Sequence, residues 1–263
     1  MMDLNLKNKN ALVCGSSQGI GKAIAIQLAK QGANVTLFAR NLEKLNAVKA
    51  ELPNDGTQEH FAICADFADT QAVVRALESQ LSVVPEYQIL INNTGGPSPG
   101  PANAAESEAF LDAFQQHLIN NHQIAQLLLK GMKSSGYGRI INVISTSVKQ
   151  PLPNLGVSNT VRGAVASWAK TMANELGEFG ITVNNVLPGA TNTVRLEAII
   201  QNKANKTGKS IEAVIDEEKS IIPMKRFGEP EEFANVAAFL ASPAASYVSG
   251  VSIPVDGGRT SSL

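Results

Sequence analysis

A short apolar run, Ala11 to Cys14, leads into three glycines at positions 15, 19 and 21, and these open into Lys22-Ala23-Ile24-Ala25-Ile26-Gln27-Leu28-Ala29. The run has the length of a buried strand, and the segment after the glycines carries helix formers with apolar residues at helical spacing. Strand, glycine turn and helix in this order make a phosphate site. Glycine permits the sharp turn and lets the main chain approach a ligand, while the helix start offers unpaired N–H groups to an anion. The spacing is G-x-x-x-G-x-G, and Gly15, Ser17, Gln18, Gly19, Ile20 and Gly21 are the candidates to hold a dinucleotide's diphosphate. A tight turn that binds nothing would use the same glycines, so the rest of the chain has to decide.

Strand-like and helix-like runs alternate along the whole chain. Further strands are expected at 34–39, 60–64, 88–92, 139–144, 182–187 and 252–255, with helices at 41–52 and 70–81 and in the remaining gaps. This order predicts an α/β fold, a doubly wound parallel sheet covered on both faces. No linker divides the 263 residues and no internal repeat is visible, so 1–263 reads as one domain.

The net charge of −1 gives no basic surface for nucleic acid or an acidic membrane, and no apolar run approaches the roughly 20 residues of a membrane span. The first six residues lack the charged and apolar regions of a signal peptide, which makes a cytoplasmic location the default. Cys14 and Cys64 each end an apolar run and read as small core residues rather than a disulfide. His60, His117 and His122 have no metal-site spacing, so no metal is expected.

In a parallel sheet of this kind ligands bind beyond the carboxyl ends of the strands. Arg40 follows the second strand, where a dinucleotide without a 2′-phosphate usually meets an acidic residue. A guanidinium there suits the 2′-phosphate of NADP better than NAD, although a solvated arginine opening a helix has the same sequence. Asp66, after the third strand, has the chemistry to accept a hydrogen bond from an adenine amino group, or to cap a turn.

These residues and four later segments resemble the short-chain dehydrogenase/reductase family over almost the full chain. Gly15-x-x-x-Gly19-Ile20-Gly21 is similar to the family's nucleotide turn, and Asn92-Asn93-Thr94-Gly95 to its N-N-A-G segment. Pro188-Gly189 with Thr193 resembles P-G-x-x-x-T, while Arg226 to Glu232 and Val255 to Gly258 look like its two C-terminal signatures. The nearest flavour resembles the 3-oxoacyl-acyl-carrier-protein reductases. The resemblance implies a Rossmann-like sheet in the order 3-2-1-4-5-6-7 and a bound dinucleotide contacted by Asn93, Gly95, Pro188, Gly189 and Thr193. It also implies a small-molecule or acyl-thioester substrate and a homo-oligomer, tetramer or dimer. Gly163, Ala164, Ala166 and Ala169 would permit close helix packing in such an oligomer, or would simply pack on the sheet.

The resemblance also implies a Ser, a Tyr and a Lys that reduce a carbonyl, often with an Asn from the helix before the fifth strand. Ser145 matches the Ser. The family spacing places the Tyr and Lys on Ser158 and Arg162, and the Asn on His117. The i,i+4 geometry survives, but a serine hydroxyl is a far weaker acid than a phenol, and Arg162 keeps its proton, while it can still bond the dinucleotide's nicotinamide ribose, as the resemblance implies for the Lys, and stabilise an alkoxide. None of Tyr87, Tyr137 and Tyr247 falls at the vacant position. Three readings stay open: a reductase using a water held by Ser145, Ser158 and Arg162, or His117, as proton source; an enzyme whose Arg162 binds an anionic substrate group; and a nucleotide-binding module without turnover.

Residues 193–226 are, by the same resemblance, the segment that folds over the substrate. Leu196, Ile199, Ile200, Ile211, Val214 and Ile215 suggest two short amphipathic helices joined at Thr207-Gly208-Lys209. The mixed charges of this segment, Arg195 among them, do not name the substrate.

Overall fold

The computed structural model describes residues 2–262. Seven parallel strands form one sheet in the order β3-β2-β1-β4-β5-β6-β7, as the resemblance implied. They are β1 (Asn10–Cys14), β2 (Asn34–Ala39), β3 (Phe61–Cys64), β4 (Ile89–Asn92), β5 (Gly138–Val143), β6 (Ile181–Pro188) and β7 (Ser252–Val255). Each lies within two residues of its expected bounds.

Nine α-helices accompany the strands among the described residues. On one face α1 (Gly19–Lys30), α2 (Leu42–Glu51) and α9 (Pro230–Ala241) bury Ile24, Leu28, Leu45, Val48, Phe233 and Ala237. On the other, α3 (Thr70–Leu81), α5 (Asn120–Ser135) and α6 (Gly156–Leu176) bury Val73, Leu77, Leu128, Met132, Met172 and Leu176. A parallel sheet needs both covers, because its strands are apolar on each side. Helix α4 (Ser107–Phe114) runs into α5 through a π-helical turn at Gln115–Ile119.

The remaining two helices, α7 (Val194–Thr207) and α8 (Ile211–Ser220), meet at Gly208 in the left-handed conformation, at the expected turn. Ile200, Ala204, Val214, Ile222 and Phe227 form a separate small core there, whereas Ile199 and Ile211 are exposed. Arg226 pairs with Glu232, and Glu229 and Glu232 cap α9 reciprocally, so the Arg226 to Glu232 signature is a helix-start device.

Two expectations change. Cys64 closes the outer strand β3 and is exposed, whereas Cys14 is buried and burial pushes its thiol up. A strand at the sheet's edge has no neighbour to cover its last residue. The small residues of α6 divide: Ala169 packs into the core, while a Cβ on Gly163 would meet nothing within 4 Å.

A buried amide row runs across the carboxyl half of the sheet. Asn92 donates to Asn142 at 2.8 Å, Asn142 to Asn185 at 2.9 Å, and Asn185 to the Ser252 hydroxyl at 3.1 Å. The strand register places each residue directly beside its partner.

The glycines differ sharply in what they tolerate. A Cβ on Gly21 would lie 2.2 Å from the Gly15 carbonyl oxygen. Gly21→Ala is therefore expected to cost about 3 kcal/mol or more, by urea unfolding. Gly163→Ala, mid-helix with open space, is expected to gain about 0.5–1 kcal/mol.

Candidate active site

The glycine turn is held from two sides. The Gly15 N–H donates to the Phe38 carbonyl at 2.7 Å, and the Phe38 N–H to the buried Ser16 hydroxyl at 3.0 Å, which ties the turn to β2. From β4, the Asn93 amide donates to the carbonyls of Cys14 and Gly15 at 3.3 and 3.1 Å. Gly15 is left-handed at φ +60, and a Cβ on it would overlap the Asn93 carbonyl at 2.4 Å. Asn93 thus braces the turn.

What remains free is the start of α1. Its N-cap, Gln18, makes no side-chain cap, and the first turn holds no acid. Asn41, Asp69, Thr193 and Ser210 by contrast cap α2, α3, α7 and α8 with side-chain acceptors. The first N–H groups of α1 and the half-buried Ser17 are left for an anion, and the turn is closed to any side chain that would fill the cradle. These residues fit a dinucleotide's diphosphate.

The other expected contacts have mixed roles. Arg40 is exposed at the end of β2. Asp66 accepts from the Ala68 N–H at 3.0 Å through one oxygen, which is the turn-capping alternative, and leaves the other oxygen unused. Gly95 has open space around it. Gly189, after Pro188, lets the chain at Asp256 pass 2.6 Å from where a Cβ would be. Thr193 caps α7 and its methyl lies 3.3 Å from the Cβ position of Gly19, so the start of α7 overlies the glycine turn.

Beyond β5, Ser145 is extended and half-buried, and its Oγ accepts from the Ser147 N–H at 3.1 Å. Its own proton stays available to donate. Ser158 and Arg162 sit one turn apart on α6. Arg162 folds back onto the last residue of β5, donating to the Val143 carbonyl at 3.3 Å. It is 6% exposed. Burial lowers its pKa to about 10, helped by the charge of Arg195, so it stays cationic at neutral pH. Ser158 is half-buried, and among the described residues no hydrogen bond joins Ser145, Ser158 and Arg162 to one another.

His117 lies in the π-helical turn, 1% exposed, with Nδ1 at 2.6 Å from the Thr94 hydroxyl. Burial first, then the charges of Arg162 and Arg195, lower its pKa to about 3. A ring held neutral in this way weighs against His117 as the proton source, the alternative that rested on an ordinary pKa near 6.5. His122 turns elsewhere, accepting from the Trp168 indole at 3.4 Å. Asn120 is engaged by Thr70 and the Phe67 carbonyl.

The residue sequence reading left unplaced is Arg195. It stands in the first turn of α7, and its Nη2 is 2.6 Å from the Cβ position of Gly96, in the loop after β4. The residue is exposed, and partial burial lowers its pKa. Its signal in the sequence was position alone, two residues beyond Thr193.

No tyrosine reaches this end of the sheet. Tyr87 and Tyr137 precede β4 and β5, at the amino ends, where Tyr87 bonds Thr36 and Tyr137 donates to the Ala241 carbonyl; Tyr247 is exposed. Among the described residues no cluster of ligating side chains could hold a metal, and no helix is long and apolar enough to cross a membrane.

Residues 15–260 match the family model described as enoyl-(acyl carrier protein) reductase. The chain is 33% identical to the NADPH-dependent reductase BacG of Bacillus subtilis over 262 residues, 98% of this chain and all of the relative. It is 35% identical to a 3-oxoacyl-[acyl-carrier-protein] reductase of Staphylococcus epidermidis, over 95% of this chain and 98% of the relative. Among solved structures, L-sorbose reductase of Gluconobacter frateurii, complexed with NADPH and L-sorbose, superposes with a TM-score of 0.93 over the full length of both chains at 31% identity. The chain belongs to the short-chain dehydrogenase/reductase family.

Proposed function

We propose that the protein is an NADPH-dependent reductase of a ketone, of the 3-oxoacyl reductase type, with a water in place of the family's phenol as proton donor. The observation that carries this reading is Arg162, a buried guanidinium anchored at the end of β5 beside the Ser145 strand end. The dinucleotide, when bound by the free amides of α1 with Arg40 toward its 2′-phosphate, supplies the hydride.

The chain's residues then have three tasks. Ser145 donates its free proton in a hydrogen bond to the carbonyl oxygen and fixes the carbon for hydride addition. As the π electrons move onto that oxygen, Arg162 stabilises the alkoxide without giving up a proton. A water held by Ser145, Ser158 and Arg162 protonates the alkoxide, and the hydroxide left behind is reprotonated from solvent. The segment 193–226 serves as the lid of this site, one domain carries it, and a face of α6 containing Gly163 serves self-association. The cytoplasm is the compartment this reading assumes.

Restoring the family's acid is the direct test. Ser158→Tyr with Arg162→Lys is expected to raise turnover of acetoacetyl thioesters by about 10²-fold or more, the scale of a positioned general acid. Wild-type turnover equal to that of relatives with the phenol would overturn the water route. Arg40→Ala is expected to weaken NADPH about tenfold or more in calorimetry and to leave NADH nearly unchanged, since a charged hydrogen bond to phosphate is lost.

The pH profile follows from His117. An imidazole that titrates near 6.5 when unfolded and near 3 when folded contributes stability above pH 6.5, and that stability is lost as pH falls toward 3. The kcat/KM profile is expected to show no inflection of His117 between about pH 6 and 7. An inflection there that His117→Gln abolishes would restore the histidine as proton source.

A further inference from the structure

Arg162 and Arg195 are two guanidinium groups without an acid. Among the described residues the ion pairs are Lys22 with Glu51, Lys203 with Glu217 and Glu218, Lys209 with Glu217, Arg226 with Glu232, and Arg259 with Glu218. Neither arginine is in any of them. Arg162 is buried with one carbonyl as partner, and Arg195 donates no hydrogen bond to the described residues. The field of Arg195 lowers the pKa of Arg162, and both charges lower that of His117 after burial does. Arg162 is the buried one, and a buried charge is normally paired, because an uncompensated one costs several kcal/mol; Arg195 is exposed and stands over the loop after β4. His117 is held on Thr94, two residues before Gly96 in the same loop that Arg195 overlies, and brings no negative charge.

We propose that this pair binds a carboxylate of the substrate, so that the ketone the protein reduces is carried on an oxo acid, and acetoacetyl thioesters serve in the phenol-restoration test as ketone probes without that anchor. Arg195 holds the carboxylate from α7, and Arg162 lies between it and the carbonyl oxygen that Ser145 meets. A planar guanidinium matches a carboxylate in a paired geometry, and the burial of Arg162 strengthens its part of the contact. The inference rests on the reductase reading for the identity of the reacting carbonyl, but the anion site stands on the two arginines alone.

The diphosphate of the dinucleotide is the competing anion; the sheet separates Arg162 from it, while Arg195 is two residues from Thr193 over the glycine turn, so the Arg195 variants decide its ligand. Arg162 is anchored on β5, two strands from β1 and the glycine turn, with β4 between them. At sheet spacing that is about 10 Å. The free amides of α1 already serve the diphosphate end.

The test sets four oxo acids, 2-oxobutanoate, 3-oxobutanoate, 4-oxopentanoate and benzoylacetate, against their ethyl esters, in calorimetry with saturating NADP and in NADPH oxidation. At least one acid is expected to bind about tenfold or more tighter than its ester, with KM shifted in the same sense. Arg195→Gln is expected to bring that ratio toward one and Arg195→Lys to restore part of it, with NADPH affinity held within about twofold, since the phosphate contacts lie elsewhere. Equal affinity for every acid and its ester overturns the proposal. So does an Arg195→Gln variant that loses NADPH binding in step with acid binding, because the arginine would then belong to the dinucleotide. If dinucleotides leave the melting temperature unmoved, the reductase reading falls; the same titration into the protein alone then decides whether the arginines hold a carboxylate.

Discussion

The contact between the glycine turn and Asn93 sets the geometry of everything at the carboxyl edge. Gly15 and Gly21 press main chain against main chain so closely that a single methyl at either position would overlap an oxygen. Asn93 then takes the carbonyls of Cys14 and Gly15 for itself. The electrostatic consequence matters more than the bracing. With those carbonyls turned into β4, the turn presents N–H groups to the outside, and the start of α1 adds its uncapped ones. The same contact fixes how far the loop after β4 stands from β1, and therefore where Thr94 and Gly96 are. His117 and Arg195 take their places from those two residues.

A site built this way has exchanged acid strength for positive field. A phenol near a cation does two things: it gives a proton and it lets the cation stabilise what remains. At the end of β5 the cation stays and the hydroxyl beside it is aliphatic. Arg162 cannot be neutralised at working pH, and His117 beside it is kept neutral by burial and by the two guanidinium charges. Every group there therefore favours negative charge on the ligand, whether an alkoxide forming on oxygen or a carboxylate already present. On the proposed reading proton delivery falls to a water, a weaker donor than a phenol, and the positive field lowers the cost of the anion it protonates.

The sheet was legible because its signals are local. Seven apolar runs of strand length, separated by helical periodicity, fix the alternation, and the glycine turn identifies β1 among them. The break at Gly208 and the two helices around it were legible for the same reason. Cys64 was misread because burial of a strand's last residue depends on having a neighbour strand, which a local pattern does not contain. The amide row from Asn92 to Ser252 was invisible for a related reason. Four polar residues on four strands become one chain of hydrogen bonds only when register puts them side by side. His117 shows the limit in the site itself: its residue type suggested a titrating group, and its surroundings removed the titration.

The start of α7 joins the two halves of the site mechanically. Thr193 and Arg195 leave the chain two residues apart, one against Gly19 and the other against Gly96. Both belong to one capped helical turn, which the Thr193 hydroxyl closes on Leu196. A shift of α7 thus cannot loosen the contact over the glycine turn without also moving the guanidinium over the loop after β4. The small core behind it, Ile200 with Val214, Ile222 and Phe227, is separate from the two large ones and gives the helix pair its own packing to move with. The carboxylate contact proposed at Arg195 and the coverage of the glycine turn at Thr193 would for this reason be one structural event, carried by a single turn of helix.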